Sequence, residues 1–484
     1  MKEILWFRRD LRISDSALLS KAKDEVLPVF IFDTNILEKL PKDDKRVTFI
    51  YKSVIKFKKE LQGIGLDLAV FYGRPQEIFK ELGRGFDRVL ASCDFDSYAL
   101  QRDKAIEKLI PMDRYYDSYL FHPDQALKQD NTPYRVFTPF YKSLNPLWQS
   151  DSIGEYQRND LLRKTQFEYD SFPTLESMGF EEQPLPGFLN KSASTLVDEF
   201  ALKLENYEHD RDYFTNDAVS RLSVHLRFGL ISPRELFNKI KKYPGSEPFV
   251  RQIFWREFYN YILYHFPKSE HENFNGKIIK WEDNEGHFKA WCEGNTGVPI
   301  VDAAMRHLNR TGLMHNRLRM VVSSFLTKNL LIDWRKGEEY FSLKLLDYDA
   351  SANTGSWQWA ASTGADSVPY FRVFNPYLQS AKFDKEAVFI KQVIPALKDT
   401  DPKSIHTEYA SGADLFTDYP YLQSAKFDKE AVFIKQVIPA LKDTDPKSIH
   451  TEYASGADLF TDYPSPIVDI KSSRNRAIEV FRNS

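Results

Sequence analysis

The sequence predicts an α/β domain with a doubly wound parallel sheet, followed by an all-helical domain. Three observations carry this: β-rich runs alternate with helical spacing in the first third, a proline-rich stretch follows, and strand signals fade in the second half. At 484 residues the chain exceeds one ordinary core. We place the α/β domain at 1–125, a connector at 126–195 and the helical domain at 196–484.

Runs at 4–7, 26–33, 66–72 and 88–95 read as strands. Between the second and third, Val47, Ile50, Val54, Phe57 and Leu61 recur three and four apart, the stripe of an amphipathic helix. A second helix, PQEIFKEL, opens on proline, which suits a first helical turn. The alternation implies a Rossmann-like sheet, yet no GxGxxG follows the first strand. WFRRDLR stands there, its arginines read as phosphate ligands or, more commonly, as solvated or internally paired charges. Pro133, Pro139, Pro146, Pro173, Pro184 and Pro186 mark the connector. YRVFTPFYKSLNPLW within it is apolar enough to pack on a domain surface.

In the helical half, Ser220 and Ser223 flank Arg221 at a helix start, where hydroxyls and free N–H groups cap the helix or hold a phosphate. ISPREL is a second start, capped by Ser232 with Pro233 in the first turn. In FVRQIFWREFYNY, Gln252, Trp255 and Tyr259 share one helical face with Arg256 beside it. That is either a platform for a base and its phosphate or a core-facing stripe. Two helices broken at Gly312 then carry, from 306 to 336, Arg306, Arg310, Arg317, Arg319, Lys328, Arg335 and Lys336 against Asp333 alone. This is a local basic patch in a chain of net charge −3, unless Asp347 and Asp349 partly neutralise it, with Arg319 paired inward and Arg317 outward.

Residues 334–375 set Asp347, Asp349 and Asn353 just ahead of Trp357 and Trp359, a pattern suited to a flat, charge-bearing ligand. DYDASAN lacks the glycine and glutamate of a calcium loop, so no metal is expected. Two cysteines without a CxxC exclude a disulfide framework. No apolar run approaches the length of about 18 residues needed for a membrane span. The expectation is a soluble, cytoplasmic monomer without an obligate protein partner. Residues 377–420 recur unchanged at 421–464; we expect one copy to pack natively and the other to be a surface insertion that limited proteolysis would remove.

Taken together, WFRRDLRISD, YRVFTPF, SRLSVHLRFG, WREFY, WCEGNTGVPIVDAAMR, TGLMHNRLRM, NLLIDWRKGEEYF and WQWAASTGADSVPYFRVFNP resemble the photolyase/cryptochrome family. The closest likeness is to class I photolyases that repair cyclobutane pyrimidine dimers in DNA. The resemblance implies an antenna domain, a helical domain holding FAD, and a light-driven electron transfer that splits a flipped dimer. It implies FAD contacts at Tyr207, Val219, Ser220, Arg221, Leu222, Ser223, Arg319, Asp347, Tyr348, Asp349 and Asn353, with Arg319 pairing to Asp347. Trp357, Trp334 and Trp281 correspond to the family's electron-transfer chain. DNA or lesion contacts fall on Arg211, Gln252, Trp255, Arg256, Tyr259, Asn316, Arg317, Met320, Trp359 and Gln379, with Gln423 replacing Gln379 if the second copy is native. Five positions depart from the family pattern. Val219 stands for a threonine, Gln252 for a glutamate and Leu313 for a tryptophan, and Tyr98–Ala99 replace a polar pair that holds folate. The antenna is therefore folate, a deazaflavin, FMN or nothing. Asn316 in MHNRLR favours dimer repair over (6-4) repair. A signalling cryptochrome and a non-catalytic flavoprotein or single-strand binder are the alternatives.

Overall fold

The structure, a computed structural model, describes residues 1–144, 146, 149, 153–169, 171–407, 464 and 466–484. Five of the six parallel strands of the N-terminal sheet are β1 (Lys2–Phe7), β2 (Glu25–Asp33), β3 (Ala69–Gly73), β4 (Arg88–Ser92) and β5 (Met112–Tyr115), in the order β3-β2-β1-β4-β5. The order reverses beside β1, as in doubly wound folds. β5 reads MDRY and is half-exposed at the sheet edge, so no apolar run announces it. The helix carrying Val47, Val54, Phe57 and Leu61 spans Lys45–Gly63, and Pro75–Leu82 is helical as expected.

The connector is more ordered than its prolines suggest. Arg163–Lys164 (β6) pairs with Glu25 and Val26, the part of β2 that the shorter β3 leaves uncovered. That blunts an exposed sheet edge. The YRVFTPF segment forms a helix, Phe137–Ser143, inside the helical domain's core. Phe137 stacks on Trp255 with centroids 3.8 Å apart and planes 6° apart.

The helical domain is organised around Ala350–Ala361, packed by Glu247–His265, Asn316–Ser324 and Trp334–Lys344. Two glycines make these approaches possible. A Cβ on Gly337 would lie 2.3 Å from Trp357 Cη2, and one on Gly355 would lie 2.2 Å from the Tyr259 ring. Gly312, left-handed at φ 73°, ends Pro299–Thr311 as expected. Asn316–Ser324 runs into a π-helical turn at Phe325–Asn329, and Ile470–Arg482 packs against that turn. Among the described residues no helix is long and apolar enough to cross a membrane.

The first repeat copy contributes to the core through Tyr377, Phe389, Ile390, Ile394, Leu397 and Ile405. Residues 408–420 and, apart from Pro464, the whole second copy lie outside the described residues, and Gln423 with them.

Candidate functional site

Asp347, Tyr348 and Asp349 immediately precede the Ala350–Ala361 helix and are held from three directions. Arg319 Nη2 donates to both oxygens of Asp347, at 2.9 and 2.8 Å. Arg227 Nε donates to the carbonyl of Tyr348. Arg9 Nη2 lies 2.5 Å from Asp349 Oδ2, reaching across from the end of β1. Asp349 Oδ1 accepts from Ser351 Oγ at 2.6 Å and, as the helix N-cap, from Ala352 N–H at 3.1 Å. Burial by itself would raise this carboxyl's pKa, but Arg9, Arg227 and Arg256 outweigh it and hold the group well below the usual range. The Asp349 carboxylate is thus held in place by protein partners on both oxygens.

Asn353 sits one turn into the same helix, and its Nδ2 donates to Glu338 at the carbonyl (3.1 Å) and Oε1 (2.9 Å). The side-chain amide is therefore fixed in orientation. Burial raises the pKa of Glu338 despite hydrogen bonds from Asn353, Thr354 and Tyr348. Glu338 went unrecognised in the sequence, although it lies four residues after Trp334 on the same helix.

Trp357 and Trp334 are buried at 2% and 1% exposure, and Trp281 is half-buried against Phe481 of the C-terminal helix. Trp334 Nε1 donates to Asn273 Oδ1 at 2.8 Å. A fourth indole, Trp291, is fully buried and meets Trp357 edge-on at 5.9 Å. Trp359 and Trp255 are half-buried.

In the serine turn, Arg221 adopts φ 56°, the left-handed region, and Leu222 follows at φ −90°, ψ −5°. Such a left-to-right alternation turns successive N–H groups toward one concavity, an anion nest. The exposed Arg221 side chain pairs with Asp217 at 2.9 Å. Leu222 is fully buried, so it can serve a ligand only through its main chain. Val219 offers no hydroxyl. Tyr207 is buried with its ring edge-on to Phe200 and Phe249, and the Arg211 guanidinium lies 5.9 Å from its ring centre.

Several expected DNA contacts are turned inward. Arg256 donates to the Ser118 carbonyl at 2.8 Å and covers Tyr119 at 4.3 Å, at the junction of the two domains. Arg317, expected outward, bonds Asp212 and covers Phe383. Tyr259 packs into the gap over Gly355. Asn316 is exposed, 3.8 Å from the half-buried Met320 sulfur. Gln252 Nε2 bonds its own helix at Pro248 O. Gln379 lies on Pro376–Phe383, its Oε1 buried without a hydrogen-bond partner among the described residues.

The basic stretch is largely neutralised. Arg335 pairs with Asp333, Lys336 with Asp283 and Glu285, and Lys328 is fully buried. The arginines of WFRRDLR are likewise paired internally: Arg8 with Asp103, Arg9 with Asp94 and Asp349, Arg12 with Asp117.

The DNA photolyase profile matches residues 3–152, and the profile for the FAD-binding domain of DNA photolyase matches 249–421 and again 410–483. A deoxyribodipyrimidine photo-lyase of Alkalihalophilus pseudofirmus is 36% identical, over 83% of this chain and 89% of its own. The chain belongs to the DNA photolyase family. A photolyase structure from Sulfolobus tokodaii, described with two FAD molecules, superposes with TM-score 0.78 at 32% identity, covering 100% of both chains. A Synechocystis cryptochrome shares the fold, with TM-score 0.80 at 24% identity over 99% of each chain.

The residues of this family member fit FAD. The nest at Arg221–Leu222 with its flanking serines suits the diphosphate. The Arg319–Asp347 pair and the fixed Asn353 amide offer donors and an acceptor to a flavin edge. The double match of the FAD-binding profile follows from the duplication, since each repeat copy completes one match.

Proposed function

We propose that this chain is a light-dependent DNA repair enzyme that splits cyclobutane pyrimidine dimers. The observation that carries it is one helix, Ala350–Ala361, which bears Asn353 fixed by Glu338, the buried Trp357, and the half-buried Trp359. Reduced FAD, when bound, supplies the light-excited electron that opens the dimer and is then returned.

The protein's own part is positioning. Asn353 presents its amide to the flavin in one orientation, and Glu338 holds it there. Trp281, Trp334 and Trp357 offer a course for electrons inward, from a half-buried ring to the buried core, by which a bound flavin would be returned to its reduced state. Trp255 and Trp359 receive the extruded dimer. Flipping a normal base costs a few kcal/mol and a damaged one less; stacking returns about 1–3 kcal/mol per base. Phe137 behind Trp255 keeps that platform rigid. Gln252 stands where a lesion-contacting carboxylate is common, so recognition there rests on a neutral amide.

We further infer a second chromophore in the N-terminal domain. The two FAD molecules of the Sulfolobus relative support a flavin there over folate, as does Tyr98 bonded to Asp33 in place of a polar folate-binding pair. The same reading takes the enzyme as a cytoplasmic monomer acting on damaged DNA without an obligate protein partner.

The test is repair of a thymine-dimer oligonucleotide by reduced protein, in darkness and under blue light. Loss of dimer in the light alone is expected; equal dimer content in both refutes the proposal. Flavin photoreduction without repair would support a cryptochrome.

A further inference from the structure

We propose that Arg9, a residue of the antenna domain, is a positioning residue for the electron-transfer helix of the other domain. This rests on the photolyase reading above, but its first test does not use repair. Arg9 follows β1 in sequence, and its side chain is 5% exposed. Nη1 bonds Asp94 beyond the end of β4 at 3.0 Å, and Nη2 bonds Asp349 at 2.5 Å. The guanidinium also lies 5.5 Å from the Tyr119 ring centre. One rigid fork therefore joins the sheet to the N-cap of Ala350–Ala361.

The cap decides where the helix starts. Asp349 has one oxygen on Arg9 and the other on Ser351 and Ala352, so its carboxylate cannot turn without breaking a buried contact. Asn353 lies one turn beyond Asp349, Trp357 two turns and Trp359 nearly three. The far end of the helix is held as well, by Lys328 Nζ at the carbonyl of Ala361 (3.3 Å) and the hydroxyl of Ser362 (2.8 Å). The near end is held by Arg227 and Arg319 of its own domain and, through Arg9, by the other domain. Arg9 also offsets the Asp349 charge beside Asp347, so it sets the electrostatics of the flavin-side loop as well as its place.

Hydrogen exchange in FAD-free protein tests the positioning directly. Arg9→Met should speed exchange of the Ala352 and Asn353 amides at least tenfold, while the amides of Asn316–Ser324 keep their rates. With FAD bound, the same variant should shift the flavin midpoint potential and slow light-driven flavin reduction. Arg9→Lys restores a charge at Asp349 but not the fork to Asp94. It should therefore recover most of the potential and only part of the exchange protection, and it carries the test if Arg9→Met does not fold. Unchanged exchange at 352–353 overturns the proposal, as does a uniform rise across both helices. Failure of dimer repair in the unmodified protein would instead remove the functional reading and leave this result standing.

Discussion

Replacing Gly337 with alanine should disable photoreduction more than it disables the fold. The added Cβ would meet Trp357 at 2.3 Å (Cη2) and 2.6 Å (Cζ3), and Leu326 Cδ2 at 2.6 Å. All three neighbours are in the buried core, where Trp357 is 2% and Leu326 0% exposed. Overpacking of this kind costs about 1–3 kcal/mol. Alanine returns about 1 kcal/mol through helix propensity, because Gly337 lies within Trp334–Lys344. The net is a loss of about 0–2 kcal/mol, small for the whole domain, with the indole of Trp357 pushed off its seat. Transient absorption should show flavin photoreduction slowed at least tenfold, while chemically reduced enzyme still repairs dimers at close to the normal rate. Normal photoreduction in a variant of unchanged stability would refute the packing argument and, with it, the placement of Trp357 on the electron path.

Trp357→Phe should slow photoreduction yet spare repair by chemically reduced enzyme; loss of both would assign Trp357 a structural role. Burial, with Lys277 nearby, lowers the Lys328 pKa from 10.5 to about 6. Between these values the unfolded chain binds the proton and the folded one does not, so stability climbs with pH across that window. Lys328→Met should flatten the climb, and calorimetry at pH 8 in paired buffers should show proton uptake on unfolding reduced by about one. Deleting 421–464 should leave FAD retention and the unfolding midpoint unchanged, because Tyr377, Phe389 and Ile390 of the first copy already fill the core; a destabilised product would mean that the second copy supplies needed contacts.

The fold was legible wherever periodicity was local. Val47, Val54, Phe57 and Leu61 lie three to seven apart and mark their helix without reference to anything else. β5 escaped because an edge strand needs only one covered face, and MDRY carries no alternation to betray it. β6 escaped for a different reason. Two residues, Arg163 and Lys164, have no pattern of their own, and their pairing depends on β2 being longer than β3. The helical character of the YRVFTPF segment was masked by Pro139, which sits near the start of Phe137–Ser143 where its missing N–H is tolerated.

The candidate site divides along the same line, between what a residue is and what it meets. Aromatic and hydroxyl groups carry their use in their chemistry, so Trp255, Trp357, Trp359 and the serine turn could be singled out from the sequence. Charges do not, because their role is fixed by partners far away in the chain. Arg9 and Asp349 are separated by 340 positions, and Arg317 and Asp212 by 105. The run from Arg306 to Lys336 looked like a phosphate-binding surface because only Asp333 stood against it nearby. Asp212, Asp283, Glu285 and Asp347 reach Arg317, Lys336 and Arg319 from other elements, and Lys328 is buried. If DNA is held on this face, as proposed, its affinity rests on fewer unpaired cations than the sequence suggests, among them Arg310, which is exposed among the described residues. A protein of net charge −3 with few free phosphate contacts should bind undamaged duplex weakly and with a shallow salt dependence. On the proposed reading, discrimination would come from stacking of an extruded dimer on the half-buried Trp255 and Trp359.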